Sequence, residues 1–239
     1  MPILRSTSAE FAGTALLLTL IVGSGTQVER LGSDPTAQLL AHAVAVGAGL
    51  AVLVAVFLPV SGSQFNPVVT LVAWATGAMP QRLVPFHLVA QVLGAFTGVA
   101  VANLTFGGAA FAVATTDRSG FFGAEALATF SLVLAIFGLV RAGRTEWLPA
   151  AVGGIVAAGM LATASTGFAN PAVAVARTLT DSYTGIAPNS VAPFVAAQLV
   201  GGALAGVAAI GWWPGSAGEH LDDHDPERPL HGPDADLGE

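Results

Sequence analysis

Several things are scarce in this chain of 239 residues. It has no cysteine, which excludes a disulfide framework and a structural zinc site built on thiolates. It has no lysine either. Its few basic residues are all arginine and are scattered, so no basic face is available to bind nucleic acid. Charged residues make up only 10% of the chain, where an ordinary soluble domain carries about 25%. With 54% hydrophobic residues, that composition also excludes intrinsic disorder of the whole chain. What the sequence has instead is long apolar runs. Roughly 20 apolar residues cross a bilayer, and six segments qualify, at about 8–28, 37–58, 82–106, 121–140, 148–166 and 190–213. The expected class is an all-α integral membrane protein.

The formal net charge of −7 is not spread evenly. Acids and arginines balance over the first 218 residues, so residues 219–239 carry the whole imbalance. That tail is Pro-containing and almost free of apolar residues, and is expected to be a disordered, solvated acidic segment. His220 and His224 stand beside its Asp cluster as a candidate metal chelator, but solubility is the plainer role. No nucleophile–base pair or metal-ligand cluster lies in the body of the chain. Neither enzymatic activity, a cofactor nor a resident metal is expected.

Two shorter apolar stretches lie between the spans: Asn66–Gly77 (NPVVTLVAWATG) and Asn170–Thr180 (NPAVAVARTLT). Each is too short to cross a membrane. They read either as interfacial amphipathic helices or as re-entrant half-helices buried in protein. A repeat favours the second. Asn66-Pro67 recurs as Asn170-Pro171, Ala90-Gln91-Val92-Leu93-Gly94 as Ala197-Gln198-Leu199-Val200-Gly201, and Ala9-Glu10 as Ala124-Glu125, in the same order and at a near-constant offset. Three spans per copy is an odd number, so the second copy enters the membrane from the opposite side and the repeat is inverted. The expected organisation is a channel-forming unit over 1–218, with repeat one at about 8–106 and repeat two at about 121–213. A cytoplasmic N-terminus puts Arg5, Arg82, Arg141 and Arg144 inside and leaves Arg30, Arg118 and Arg177 outside, the first two each beside an acid. Both termini are therefore expected in the cytoplasm, with the chain in the inner (plasma) membrane.

Asn is a good N-cap, and Pro is favoured at the first helical position. The two Asn-Pro pairs therefore read as starts of short helices. If both helices begin near the midplane, their free N–H groups and dipoles meet there. The Asn66 and Asn170 carboxamides add donors, and such a gap favours neutral hydrogen-bond acceptors and repels cations. Gly94-x-x-x-Gly98 and Gly202-x-x-x-Gly206 read as close-packing surfaces in equivalent spans.

SGSQFNPVVTL and GFANPA, with AEFAGT at the start and AQVLGA in the third span, together resemble the aquaporin (major intrinsic protein) family. The resemblance covers about residues 8–213. It implies a right-handed bundle of six tilted spans plus two re-entrant half-helices, a pore through each protomer, and a homotetramer. In that family the paired motifs, here Asn66, Pro67, Val68 and Asn170, Pro171, Ala172, form the pore centre. Glu10 and Glu125 would brace the re-entrant loops.

The sequence departs from the family pattern twice. Val68 stands where Ala is usual, and its two extra methyls either narrow the pore or repack behind it. Val173 stands where the family has the Arg of its outer filter. Carrying the other filter positions across gives Val46, Gly159 and Phe168, the last two within one residue. The set Val46, Gly159, Phe168 and Val173 would be wide and mostly apolar. Arg177, one turn beyond Val173, is either a displaced filter Arg or a vestibule charge paired with Asp181.

The string NPAVAVAR resembles a bacterial, aquaglyceroporin-like subgroup associated with arsenic resistance. It implies passage of glycerol-like polyols, neutral metalloid hydroxides such as arsenite, methylated arsenicals and water. A passive channel is the favoured function. A secondary active transporter of a small neutral or weakly acidic solute is the alternative, because inverted repeats with broken helices build those too. A non-conducting scaffold is a third.

Overall fold

The computed structural model describes residues 3–32 and 34–214. The acidic tail with His220 and His224 lies outside the described residues. The chain forms α1 (Ile3–Leu31), α2 (Pro35–Ser61), α3 (Pro67–Ala75), α4 (Val84–Thr105), α5 (Phe122–Arg141), α6 (Leu148–Ala162), α7 (Pro171–Ala176) and α8 (Val191–Trp212). Among the described residues, six of these, with the short 3-10 turns that lead into α4, α6 and α8, are long and apolar enough to cross a membrane. The half-helices α3 and α7 are not among them. α6 ends earlier than the apolar run suggests. Thr163 is extended, at φ −118° and ψ 142°, and the chain turns back from there towards Asn170.

α1 packs chiefly on α4, α5 on α8, and α2 on α6 across the bundle. The first two pairs are the same pair in the two repeats. Gly94 and Gly98 make the first crossing possible: a Cβ on either would strike the carbonyl oxygens of Phe11 and Ala15 in α1. The counterpart in the second repeat is Gly201, where a Cβ would strike the Ala126 carbonyl of α5. Gly202 and Gly206 do a different job from the one their spacing suggests. They receive side chains of α3, namely Val68 and Val72. The outward faces carry exposed aliphatics such as Val44, Val52, Leu127 and Val207, as a lipid-facing surface requires.

Candidate functional site

Both half-helices start in the same way. Asn66 is extended at φ −153° and its Oδ1 accepts from the Val68 N–H at 2.9 Å. Asn170, at φ −156°, accepts from Ala172 N–H at 3.0 Å and Val173 N–H at 3.3 Å. Pro67 and Pro171 occupy the first helical positions, where a missing N–H costs nothing. The two amide groups then reach across to each other's loop. Asn66 Nδ2 donates to the Ala169 carbonyl at 2.7 Å, and Asn170 Nδ2 donates to the Phe65 carbonyl at 2.7 Å. Each carboxamide keeps a second N–H, and both Asn residues line a cavity within the bundle.

Those carbonyls are available because Phe65 and Ala169 are left-handed, at φ 48° and φ 49°. Such a conformation costs a non-glycine residue about 1–3 kcal/mol unless its surroundings hold it. Two carboxylates hold it here. Glu10 Oε2 accepts from Phe65 N–H at 2.7 Å and Gln91 Nε2 at 2.8 Å, while Oε1 accepts from Gln64 N–H at 3.0 Å and Ser61 Oγ at 2.6 Å. Glu125 accepts from Phe168 N–H at 2.9 Å, Ala169 N–H at 3.0 Å and Gln198 Nε2 at 2.7 Å. Both carboxylates are fully buried. A buried carboxyl group needs such a set of partners around it. Gln91 and Gln198 are absent from the residues singled out in the sequence, although the repeated AQ(V/L)(L/V)G string marks both.

The cavity holds about 830 Å³ of space free of protein atoms, its open ends included. One wall is aliphatic, with Val46, Leu50 and Val54 of α2, Leu132 and Ile136 of α5, and Val152 and Val156 of α6. Further lining comes from the two loops, at residues 62–66 and at Thr166, Gly167, Phe168 and Asn170. Val69 and Val173, each three residues after its Asn, both face it.

Val68 does not line the cavity. It is buried against α8, with its Cγ1 in the space a Cβ of Gly202 would need, so its extra methyls repack behind the pore. Val46, Phe168 and Val173 do line the cavity, and Gly159 does not. Gly159 backs onto Gly167, whose Cβ would lie 3.1 Å from the Gly159 carbonyl carbon, and its oxygen accepts from Thr163 N–H at 3.1 Å. α6 instead presents Met160 to the cavity. One residue is about 100° of helix rotation, enough to exchange a wall position for a packing one.

Arg177 lines the same cavity and is only 5% exposed. Its guanidinium carbon sits 3.5 Å from the centroid of the Phe168 ring, and its Nε donates to the Thr184 carbonyl. The Asp181 partnership does not form. α7 ends at Ala176 and Arg177 opens a 3-10 turn, so the four-residue spacing no longer aligns the two side chains. Asp181 accepts from Thr115 Oγ1 at 3.4 Å instead.

A bundle of six spans holding two half-helices whose N-terminal loops meet at a shared cavity has the architecture of a membrane channel. Comparison with known proteins agrees. The family described as Major intrinsic protein matches residues 1–169. Aquaglyceroporin AqpS of Rhizobium meliloti (strain 1021) is 40% identical over 210 residues, covering 87% of this chain and 89% of that protein. Probable aquaporin TIP2-2 of Oryza sativa subsp. japonica is 32% identical over 216 residues, covering 85% of each. Among solved structures, the aquaglyceroporin from Plasmodium falciparum superposes with a TM-score of 0.68 at 22% identity, over 86% of this chain and 94% of that one. At that identity the likeness speaks for the fold alone. The chain belongs to the major intrinsic protein family. It is a multi-pass membrane channel and not an enzyme.

Proposed function

We propose that this channel passes uncharged solutes of glycerol size: small polyols, neutral metalloid hydroxides such as arsenite, methylated arsenicals, and water. The observation that carries this reading is the mixed lining of the cavity, with aliphatic side chains of three helices beside the two loops and both Asn residues. A polyol has one edge of C–H groups and one of hydroxyls. The aliphatic wall of α2, α5 and α6 suits the first, and the loop backbone with Asn66 and Asn170 suits the second. Val46, Met160, Phe168 and Val173 give the outer part of the lining four apolar side chains. The similarity to a protein named an aquaglyceroporin supports the same solute class.

In this reading Arg177 is the displaced filter Arg. Stacked on Phe168 one turn beyond Val173, it lines the cavity and its charge acts on the mouth. At about 7 Å from a guanidinium, a monovalent cation meets about 2 kcal/mol of repulsion at an effective dielectric near 20. The positive ends of α3 and α7 add to that barrier at the midplane. We further propose that residues 1–218 form the channel unit and that it assembles as a homotetramer. Its setting would be the inner (plasma) membrane, with both termini cytoplasmic.

Stopped-flow light scattering on proteoliposomes, with water, glycerol and arsenite run side by side, tests this. Facilitated glycerol and arsenite flux is expected, and a protein that speeds water alone refutes the wide ring. Solute accumulation driven by a proton or sodium gradient would show a transporter instead.

A further inference from the structure

The sequence places Asp117 beside Arg118, which suggests a neutral pair in the loop joining the two repeats. The structure separates them. Asp117 Oδ1 accepts from the Ser119 N–H at 2.8 Å and from Ser190 Oγ at 3.1 Å, and Oδ2 accepts from Asn189 Nδ2 at 3.1 Å. None of these donors is the guanidinium of Arg118. The Ser119 backbone bond, joined by the side chains of Ser119, Asn189 and Ser190, holds the Asp117 carboxyl down at about 2, so it remains an ionised acceptor. The Arg118 N–H in turn donates to Ser190 Oγ at 2.8 Å, and the Ala187 N–H donates to the Thr116 carbonyl at 2.7 Å. Residues 116–119 are thus clamped to the turn that opens α8.

The clamp aims Arg118 inward. Its side chain is half-buried, Nη1 donates to Thr166 Oγ1 at 3.4 Å, and its guanidinium carbon lies 5.9 Å from the Phe168 centroid. Its Nε is buried and has no partner among the described residues. Thr166 and Phe168 both line the cavity, as does Arg177 on the same ring. One aromatic ring therefore has two guanidiniums against it. Arginine stays protonated in proteins and stacks well on aromatic faces.

We infer that Arg118 is a second charge-selectivity residue of the outer mouth, supplied by the loop between the repeats, and that Asp117 is the residue that positions it. Held against Thr166 and Phe168, it contributes positive charge to the mouth without reaching across the ring at Val173. The inference rests on the neutral-solute channel proposed above and extends it to a group that neither Asn-Pro motif contains.

The absence of cysteine from the chain makes a direct test possible, because one introduced thiol is the only one. Proteoliposomes are assayed for glycerol and methylammonium flux in parallel. Arg118→Gln is expected to raise the methylammonium-to-glycerol ratio by roughly tenfold, the effect of removing one charge about 12 Å from the path at an effective dielectric near 20. Arg118→Lys should keep the ratio. Asp117→Asn should shift it in the same direction as Arg118→Gln and add nothing in the Arg118→Gln background, which a merely structural role would not produce. In Arg118→Cys, the trimethylammonium methanethiosulfonate reagent should restore exclusion, and the sulfonate reagent of similar size should not. Val113→Cys, exposed in the same loop, should respond to neither. An unchanged ratio with the trimethylammonium reagent, in Arg118→Cys labelled to completion and still conducting glycerol, overturns the inference. A wild-type protein that conducts no glycerol overturns the proposed function instead.

Discussion

Val68 and Gly202 provide the most direct test of how the pore centre is packed. Val68 is 1% exposed, and its Cγ1 fills the position a Cβ on Gly202 would take. Val68→Ala leaves a void two methyls deep. In a membrane the unfolded reference is also lipid-solvated, so the loss is mainly of packing contacts, roughly 1–2 kcal/mol. Gly202→Ala pushes a methyl into Val68 and should cost about 1–3 kcal/mol by overpacking. In the double variant the new methyl of α8 occupies the space vacated in α3. Most of both losses should return, a coupling on the order of 2 kcal/mol. For a chain of this size, 1 kcal/mol corresponds to about 2–4 °C in melting temperature.

Heating the detergent-solubilised protein and following the folded peak by size exclusion reads the shift directly. Glycerol flux in proteoliposomes reads the pore, and it should stay within about twofold in every folded variant, because Val68 is off the cavity wall. If Val68 instead narrowed the pore, Val68→Ala would raise flux at no cost in stability, and the two substitutions would add. Additive melting shifts with increased flux would refute the packing described here.

Four other substitutions probe the rest of the site. Asn170→Asp removes the donor to the Phe65 carbonyl and puts an anion at the midplane, so glycerol flux should fall and methylammonium leak rise in the two assays described. Glu10→Gln should destabilise more than Glu125→Gln, since Glu10 accepts four donors and Glu125 three; each stranded buried N–H costs about 1–3 kcal/mol, read as a lower melting temperature. Val173→Arg should close the outer ring, lowering glycerol and arsenite flux while sparing water in the stopped-flow assay.

Much of the fold is legible in the sequence, because spans depend on run length and composition and the inverted order depends only on counting. The half-helices are legible for a local reason: Asn followed by Pro specifies an N-terminus whatever surrounds it. What the sequence hides is rotation and side-chain direction. Val68 and Val69 are adjacent, yet one packs on α8 and the other faces the cavity. Gly159 and Met160 differ in the same way on α6. The four-residue step from Arg177 to Asp181 promises an ion pair only if the helix continues, and α7 stops at Ala176. Asp117 misleads for a related reason. Adjacency in sequence says nothing about which donors a carboxylate will face once the loop is clamped to α8.

The two halves of the site differ in one respect that bears on what it selects. Their framework is duplicated: a Glu holding a loop, a Gln donating to that Glu, a left-handed residue before each Asn, and each Asn amide satisfying the other loop's carbonyl. Each half supplies the acceptor the other needs, so neither loop can relax alone. The position three residues after Asn is duplicated as well, Val69 on one side and Val173 on the other, and both face the cavity. A valine at 173 thus gives both ends of the centre the same apolar lining. Charge breaks the symmetry. Seven residues after Asn66 stands buried Ala73, while seven after Asn170 stands Arg177. Arg118 approaches the same mouth from the connecting loop. Among the described residues that line the cavity, a solute therefore meets like apolar side chains after both Asn residues but a charged side chain, Arg177, after the second only. Within the proposed function, passage by size belongs to the repeated part of the design, and discrimination by charge belongs to the part that is not repeated.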